Sequence, residues 1–270
     1  MRRTSSCTIA HSKEVPILFT GSRQSHFTGL VAIIVAALAL AGCGSSSSGA
    51  SASFQWSIYD IEDTDLKTPL TCSEAGAAQV VVTLPNPATP QNPFKNAFSC
   101  SAMQASTSSV PAGDYTVGFA LYGDPATYGN ANTLLDEEPP EPSPSYHLYS
   151  GTNDYRSATP PFRVQSLVVD WVLYSQGAPT TCVAVGAKYV DLEFTVGGSS
   201  TPIISRFDCT AVSTGTSFPI PYGATSLQWQ LFLVDPSGQQ DIGNIPGATV
   251  DVPSRDTGTD VDLGAQSFDL

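Results

Sequence analysis

Residues 189–196 have the sequence YVDLEFTV, in which an apolar side chain occupies every second position from Val190 to Val196. This alternation is typical of a β-strand with one buried face, because successive side chains of a strand point to opposite sides. Residues 226–234, SLQWQLFLV, alternate with the same period. A helical stripe of comparable length is missing from residues 43–270, and the chain has 22 Gly and 21 Pro residues, which favour turns. The sequence therefore predicts an all-β fold.

The two halves of the chain repeat one order of landmarks. Each half has a Trp followed by an Ile-Tyr or Leu-Tyr pair, a Cys followed by Gly-Ala, a Phe-x-Cys motif, a Pro-x-Gly motif and an Asp-Pro pair. These landmarks begin at Trp56, Cys72, Phe98, Pro111 and Asp124 in the first half, and at Trp171, Cys182, Phe207, Pro221 and Asp235 in the second. The order predicts two tandem units, residues 53–164 and 165–270. Each has about 105–112 residues, the size of one β-sandwich.

Four cysteines occupy matching positions in the two units, Cys72 and Cys100 in the first and Cys182 and Cys209 in the second. Of the three pairings that four cysteines allow, only Cys72–Cys100 with Cys182–Cys209 keeps each bridge inside one unit. Free or metal-binding thiols are the alternative, although the spacing lacks the CxxC pair of zinc sites. We predict the two disulfides, which form in an oxidising compartment.

The N-terminus carries an uncharged apolar run at residues 30–41, which follows the cations Arg2, Arg3, Lys13 and Arg23. The run is typical of a signal peptide and falls short of the roughly 20 apolar residues that a transmembrane helix needs. It ends in LAGC at residues 40–43, which resembles the lipobox of bacterial lipoproteins. That resemblance implies removal of residues 1–42 and acylation of Cys43, for example with palmitate. A buried core cysteine is the alternative. Residues 43–52 are then the lipidated Cys and a flexible Ser/Gly-rich tether.

The order of landmarks resembles the immunoglobulin-like or prealbumin-like repeats of exported bacterial lipoproteins. The segment PAGDY at residues 111–115 is similar to the start of a strand in carboxypeptidase-regulatory-like domains, whereas the second unit has Thr225 where the Tyr would stand. The resemblance implies β-sandwich architecture and a place in the cell envelope. Gly44, which follows Cys43 in place of Asp, resembles the pattern of lipoproteins sorted to an outer membrane where the cell has two. Function does not follow from such folds.

The charge of the chain limits its partners. With 11 Lys and Arg against 24 Asp and Glu the formal net charge is −13, and the isoelectric point is about 4.3. Binding to nucleic acid through phosphates is excluded, because it needs clustered cations. A hydrophobic content of 41% argues against disorder throughout. The expected partners are a membrane, reached through the lipid anchor, and an unidentified protein or glycan ligand.

Acidic residues form two clusters that hard cations such as Ca²⁺ could use. The first contains Asp60, Glu62, Asp63 and Asp65, and the second contains Asp256, Asp260 and Asp262 around Gly258. Neither matches the calcium loop of an EF-hand, so solvated loops are favoured and no metal ligand is predicted. Five tyrosines near a Pro-rich acidic segment are a further candidate, as a sugar-stacking surface, although ordinary strand and loop tyrosines explain them as well: Tyr122, Tyr128, Tyr146, Tyr149 and Tyr155.

Catalytic residues are scarce. His147 is the only histidine after Cys43, and the chain has no G-x-S-x-G motif. We predict no catalytic residue, no cofactor and no enzymatic activity, and a role as a non-catalytic binding or structural module of the cell envelope. An envelope enzyme with a carboxylate pair, as in glycoside hydrolases, and a calcium-dependent adhesin are the alternatives. An enzyme would have a cleft with converging carboxylates, whereas a module is expected to hold no buried ionisable group with a shifted pKa.

Overall fold

A computed structural model describes residues 49–86, 89, 91–138, 145–197 and 199–270. The predicted signal peptide at 1–42 and the predicted lipid attachment at Cys43 lie outside these residues. Within the described part of the chain, no helix is long and apolar enough to cross a membrane.

The described residues contain twenty strands and four short helical segments. The first half contains β1 (Ala50–Gln55), β2 (Ile58–Asp60), β3 (Ala77–Leu84), β4 (Phe94–Ser99), β5 (Gln104–Ser106), β6 (Gly113–Thr116), β7 (Gly118–Gly123), β8 (Leu134–Glu138), β9 (Ser145–Leu148), β10 (Gly151–Asp154) and β11 (Phe162–Val164). The second half contains β12 (Leu167–Ser175), β13 (Ala178–Pro179), β14 (Tyr189–Val196), β15 (Ile203–Asp208), β16 (Thr214–Thr216), β17 (Ser226–Val234), β18 (Asp241–Ile245), β19 (Thr249–Asp251) and β20 (Val261–Asp269). The helical segments are α1 (Pro125–Tyr128) and three 3-10 turns at Cys100–Ala102, Arg156–Ala158 and Arg255–Thr257.

The first half is a β-sandwich. One layer contains the sheet β10-β1-β5 together with the parallel pair of β2 and β11. The other layer is a sheet with the strand order β4, β3, β7 and β8. Strands β6 and β9 pair separately. The rings of Phe54 on β1 and Phe119 on β7 lie 5.1 Å apart, edge to face, so the two layers meet through aromatic contacts.

The second half repeats the arrangement. Strand β12 pairs parallel with β20 and antiparallel with β13 and β16, while the facing sheet contains β15, β14 and β17 with β18 and β19 along its edge. The rings of Trp171 on β12 and Phe207 on β15 stack at 5.6 Å across the layers. In both halves the first strand pairs parallel with a strand near the end of that half, β1 with β10 and β12 with β20. The prediction of an all-β fold with two tandem sandwich units is confirmed.

The change from one half to the other falls between Val164, the last residue of β11, and Leu167, the first residue of β12. Within the described residues both halves belong to one compact unit. Strand β1 begins at Ala50, inside the segment assigned to the tether from its Ser/Gly content. Ala50 and Ala52 are fully buried and alternate with Ser51 and Ser53, so the strand pattern is present there with small residues.

Both disulfides are present, Cys72–Cys100 and Cys182–Cys209, with Cα–Cα distances of 5.9 and 6.1 Å. The bridges close loops of 28 and 27 residues. Each joins the segment before the central strand of a sandwich to the end of the strand beside it. The two disulfides therefore occupy equivalent positions in the two halves.

Removal of either disulfide is expected to lower the free energy of unfolding by about 3.5 kcal/mol, the entropy of closing a loop of this length, and the two losses should be equal because the loops are almost equally long. The variants are Cys72→Ala with Cys100→Ala, and Cys182→Ala with Cys209→Ala, each measured by denaturant unfolding. A loss confined to one pair would show that loop closure does not govern the effect.

Candidate functional site

Arg255 joins the two halves at a buried ion pair. It lies in the 3-10 turn before β20, and its guanidinium reaches Asp136 on β8 of the first half at 3.0 Å. The side chains of Arg255 and Asp136 are only 18% and 5% exposed. The same guanidinium donates to the backbone carbonyls of Leu135, Arg163 and Ile220 at 2.6, 2.8 and 3.2 Å. Its two terminal nitrogens thus make four hydrogen bonds to both halves of the molecule.

Further ionisable groups lie next to this ion pair. The second carboxylate oxygen of Asp136 accepts a hydrogen bond from the backbone N–H of Arg163 at 2.7 Å. Burial raises the pKa of Asp136, while Arg255 and this N–H oppose the shift. Burial likewise lowers the pKa of Arg255, and Asp136 opposes that shift. Glu138, two residues along β8, has its pKa raised to about 7 by burial and by the charge of Asp136. These groups line a pocket of about 290 Å³.

Three carboxylates meet at a second place on the junction. Carboxylate oxygens of Asp60, Glu62 and Asp260 lie within 4.8 Å of one another. Asp260 accepts a hydrogen bond from the backbone N–H of Ser166 at 2.7 Å, and its own backbone N–H donates to Glu62 at 3.2 Å. Asp60 ends β2, so the end of this strand in the first half meets the segment before β20, the last strand of the second half.

The proximity of these carboxylates changes the titration of Asp260. Burial raises its pKa to about 7, and the negative charges of Asp60 and Glu62 act in the same direction, against the Ser166 N–H. Chemically, such a cluster can share a proton or offer oxygen ligands to a divalent cation.

No family model and no curated protein matches the sequence. Among solved structures, the Bacillus anthracis TIE protein is 8% identical with a TM-score of 0.31, and the match covers 82% of this chain and 34% of that one. The chain thus spans about a third of the length of that protein. A Parabacteroides distasonis protein proposed to act in cell adhesion is 12% identical with a TM-score of 0.37, over 83% of this chain and 89% of that one. Proteins from Bacteroides thetaiotaomicron that are proposed to bind polysaccharide are 11% identical with a TM-score of 0.34, and the match covers 82% of this chain and 92% of that one. These descriptions belong to those proteins.

The two acidic clusters of the sequence are brought together only in part. Asp60, Glu62 and Asp260 meet, whereas the other four carboxylates make local contacts. Asp63 accepts from the backbone of Lys67 and Thr68, Asp65 pairs with Lys67, Asp256 bonds to Ser254, and Asp262 accepts from the backbone of Gly264. Turn formation explains the contacts of Asp63, Asp256 and Asp262, and Asp65 forms an exposed ion pair.

His147 lies on β9 with its side chain about half exposed. Its Nδ1 atom is 2.6 Å from Asp114 on the neighbouring strand, and its ring contacts that of Tyr149. The tyrosines considered as a sugar-stacking surface do not share one exposed face. Tyr128 is buried with its hydroxyl donating to the carbonyl of Pro219, and Tyr146 is buried as well, while Tyr149 is 67% exposed.

The expectation that no buried ionisable group has a shifted pKa is wrong. Asp136, Glu138 and Asp260 have raised pKa values because the junction removes them from water. No sequence pattern indicates that Arg255 and Asp136 form a pair, because the two residues are 119 positions apart in the chain. The acidic, Pro-rich sequence that begins at Asp136 predicts an extended loop, but Leu134–Glu138 forms β8, in which Asp136 is buried.

Acidic conditions are expected to stabilise the protein between pH 8 and pH 5. The folded-state pKa values of Asp260 and Glu138, both about 7, lie above the values near 4 of an unfolded chain. The folded state therefore binds more protons in this window, and its stability falls as pH rises through 7. Asp260→Asn should flatten the dependence when unfolding is measured at several pH values. Asp262→Asn, at an exposed position, is the control, and equal slopes for the wild type and Asp260→Asn would contradict the assignment.

Proposed function

We propose that the protein is an exported lipoprotein, anchored to the cell envelope through Cys43, that acts as a non-catalytic binding or structural module. Where the cell has two membranes, the anchor lies in the outer one. Its ligand is a protein or a glycan.

The buried ion pair of Arg255 and Asp136 carries the proposal. A catalytic carboxylate pair needs oxygens that can reach a substrate. Both oxygens of Asp136 are already engaged, one by Arg255 and the other by the backbone N–H of Arg163. The strongest candidate for chemistry thus supports the junction of the two halves. A fixed pair of sandwiches is a suitable scaffold on which loops and sheet faces present a binding surface.

The sequence and the position of β1 support the proposed anchor. Ala50, where β1 begins, lies seven positions after Cys43, and a chain of this length extends at most about 25 Å. The acidic body gains no attraction from anionic lipids, so acyl chains on Cys43 provide the membrane affinity. The body is then held close to the membrane surface.

The anchor is tested in cells that express the full chain. Wild-type protein should incorporate labelled palmitate and fractionate with membranes, whereas Cys43→Ser should lose the label. Retained labelling in Cys43→Ser would contradict the proposal. Cys7→Ser is the matched control, because Cys7 lies in the predicted signal peptide and should leave labelling unchanged.

The non-catalytic role is tested with the purified protein against glycan and peptide libraries, with separate readouts for binding and for turnover. Binding without turnover supports the module. Turnover that disappears in Glu138→Gln would support the enzyme with a carboxylate pair. Calcium-dependent binding that disappears in Asp260→Asn would support the adhesin.

A further inference from the structure

A cleft of about 650 Å³ opens in the second half beside the disulfide Cys182–Cys209, and none of the junction residues named above lines it. Its floor is residues 171–174 of β12. Residues 179–183 form one wall, and residues between 209 and 213 form the other. The disulfide joins the two walls, so the cleft exists without a ligand. Its volume is within the range of about 300–1,000 Å³ that is typical of sites for small ligands.

The cleft lies at an edge of β12 that its partner strands leave partly open. Strand β20 pairs along one edge. The other edge pairs with β16 at residues 168–170 and with β13 at residues 174–175. A ligand at the open part of this edge meets side chains of both sheet faces, because Trp171 faces the core and Val172 faces outward.

The indole N–H of Trp171 has no partner in the described part of the chain. Trp171 is only 2% exposed, and it lines the cleft. Its N–H is not among the polar atoms that are sealed from water without a partner, so it reaches the solvent. A tryptophan donor this deeply buried usually has an acceptor. The cleft is therefore the place where an acceptor from outside can reach it.

The first half shows which acceptor is missing. Trp56 occupies the equivalent position, and its indole N–H donates to the backbone carbonyl of Cys100 at 2.9 Å. The backbone N–H of Met103 donates to the same carbonyl at 3.0 Å, so the turn after the cysteine aims this oxygen at the tryptophan. In the first half a peptide carbonyl thus fills the site next to the indole N–H.

The corresponding turn of the second half is one residue longer. The backbone N–H of Trp56 donates to the third residue after Cys100, whereas that of Trp171 donates to Ser213, the fourth residue after Cys209. The carbonyl that accepts within this turn is that of Asp208. The cysteine carbonyl therefore does not take the place that it has in the first half.

The rim of the cleft is apolar and uncharged. Val183, Val212 and Val172 line it and are 72%, 45% and 43% exposed. Within the described residues, no Asp, Glu, Lys, Arg or His lines this cleft, although the net charge of the chain is −13. Exposed apolar side chains that gather at one place mark an interaction site. A charged group in the cleft would lose water without gaining a partner.

These features favour a peptide over a sugar. The ring of Trp171 is buried and stacks on Phe207 at 5.6 Å, so it offers no open face to a sugar. We propose that the cleft binds a short uncharged segment of a partner protein. An apolar side chain of that segment packs on Val183 and Val212, and one of its backbone carbonyls accepts from the indole N–H of Trp171. The inference rests on the proposed role as a binding module and names the chemistry of its partner.

The test uses the full chain in detergent with ¹⁵N-labelled tryptophan. The chain has three tryptophans, so nuclear magnetic resonance resolves three indole N–H signals, which Trp→Phe variants assign. Without a ligand, the indole N–H of Trp171 should exchange with solvent faster than that of Trp56. The probes are acetylated and amidated hexapeptides of Gly and Ser with Val, Leu, Ile or Phe at the two central positions. Hexapeptides with central Asp or Lys, and neutral trisaccharides, serve for comparison.

At least one apolar hexapeptide should bind, as measured by calorimetry, and shift the signal of Trp171 but not that of Trp56. Val183→Ser should weaken this binding by about tenfold, because an exposed apolar contact is lost without disturbing the fold. Trp171→Phe should weaken it by about fivefold, the effect of losing one hydrogen bond. Ile204→Ser is the matched control, because Ile204 is 43% exposed and lies outside the cleft.

Other results would overturn the inference. If no apolar hexapeptide shifts the Trp171 signal, or if neither cleft variant weakens binding, the site is wrong and the binding module is left intact. A shift caused by a charged hexapeptide or a trisaccharide would contradict the partner chemistry. A Trp171 signal that changes with protein concentration alone would assign the cleft to a second copy of the chain. Hydrolysis of a hexapeptide would instead overturn the proposed non-catalytic function.

Discussion

Arg255→Ala is expected to lower the free energy of unfolding by about 3–5 kcal/mol, the usual cost of removing one partner of a buried ion pair. Asp136 would remain 95% buried without its cation, and the carbonyls of Leu135 and Ile220 would lose a charged donor. Because the guanidinium bonds to both halves, the loss should affect the unfolding of the whole described unit rather than of one sandwich. Denaturant unfolding, followed by far-ultraviolet circular dichroism and by tryptophan fluorescence, measures the change.

The chain contains a matched control for this variant. Arg156 forms an ion pair with Asp154 through its Nε and Nη2 atoms, but the two side chains are 49% and 56% exposed. Arg156→Ala should therefore cost less than about 1 kcal/mol. Combining Arg255→Met with Asp136→Leu should cost less than the sum of the single changes, because no buried charge is left unpaired. An equal cost for Arg255→Ala and Arg156→Ala would show that burial of the junction pair does not matter.

The strands could be predicted from the sequence where large apolar residues alternate. Residues 189–196 and 226–234 form β14 and β17, which pair antiparallel from Tyr189 and Val234 to Val196 and Leu227. A strand of alternating small residues has the composition of a flexible tether, so the sequence places Ala50 and Ala52 in the tether. Their burial depends on the parallel partner β10, a hundred residues further along the chain, which local composition does not indicate.

The junction could be predicted only in its parts. The carboxylates at 60–65 and 256–262 were recognised as two clusters, and the fold selects Asp60, Glu62 and Asp260 from them. Which carboxylates meet depends on how the end of β2 contacts the segment before β20. A sequence pattern within one strand contains no information about this contact. Arg255 gives no local sign of burial, because a cation beside Asp256 in a turn is typical of an exposed loop. The repeat predicts each sandwich but not the contact between them.

Trp56→Ala is expected to cost about 3–5 kcal/mol, because it removes a large side chain from the core of the first sandwich. Trp56 is 1% exposed and stacks on Phe98 at a ring distance of 6.1 Å. Its indole N–H donates to the carbonyl of Cys100, so the ring also supports the turn that carries the disulfide. Thermal and denaturant unfolding of the variant measure the loss.

The repeat supplies the control that separates packing from hydrogen bonding. Trp171 occupies the matching position, is 2% exposed and stacks on Phe207 at 5.6 Å, but its indole N–H has no acceptor among the described residues. Replacement by Phe removes similar volume at both positions and a hydrogen bond only at Trp56. The Cys100 carbonyl keeps a second donor, the backbone N–H of Met103 at 3.0 Å, so the lost bond is worth about 1 kcal/mol rather than a full desolvation cost. Trp56→Phe should therefore be the more destabilising by that amount, and equal costs would mean that packing alone fixes both tryptophans.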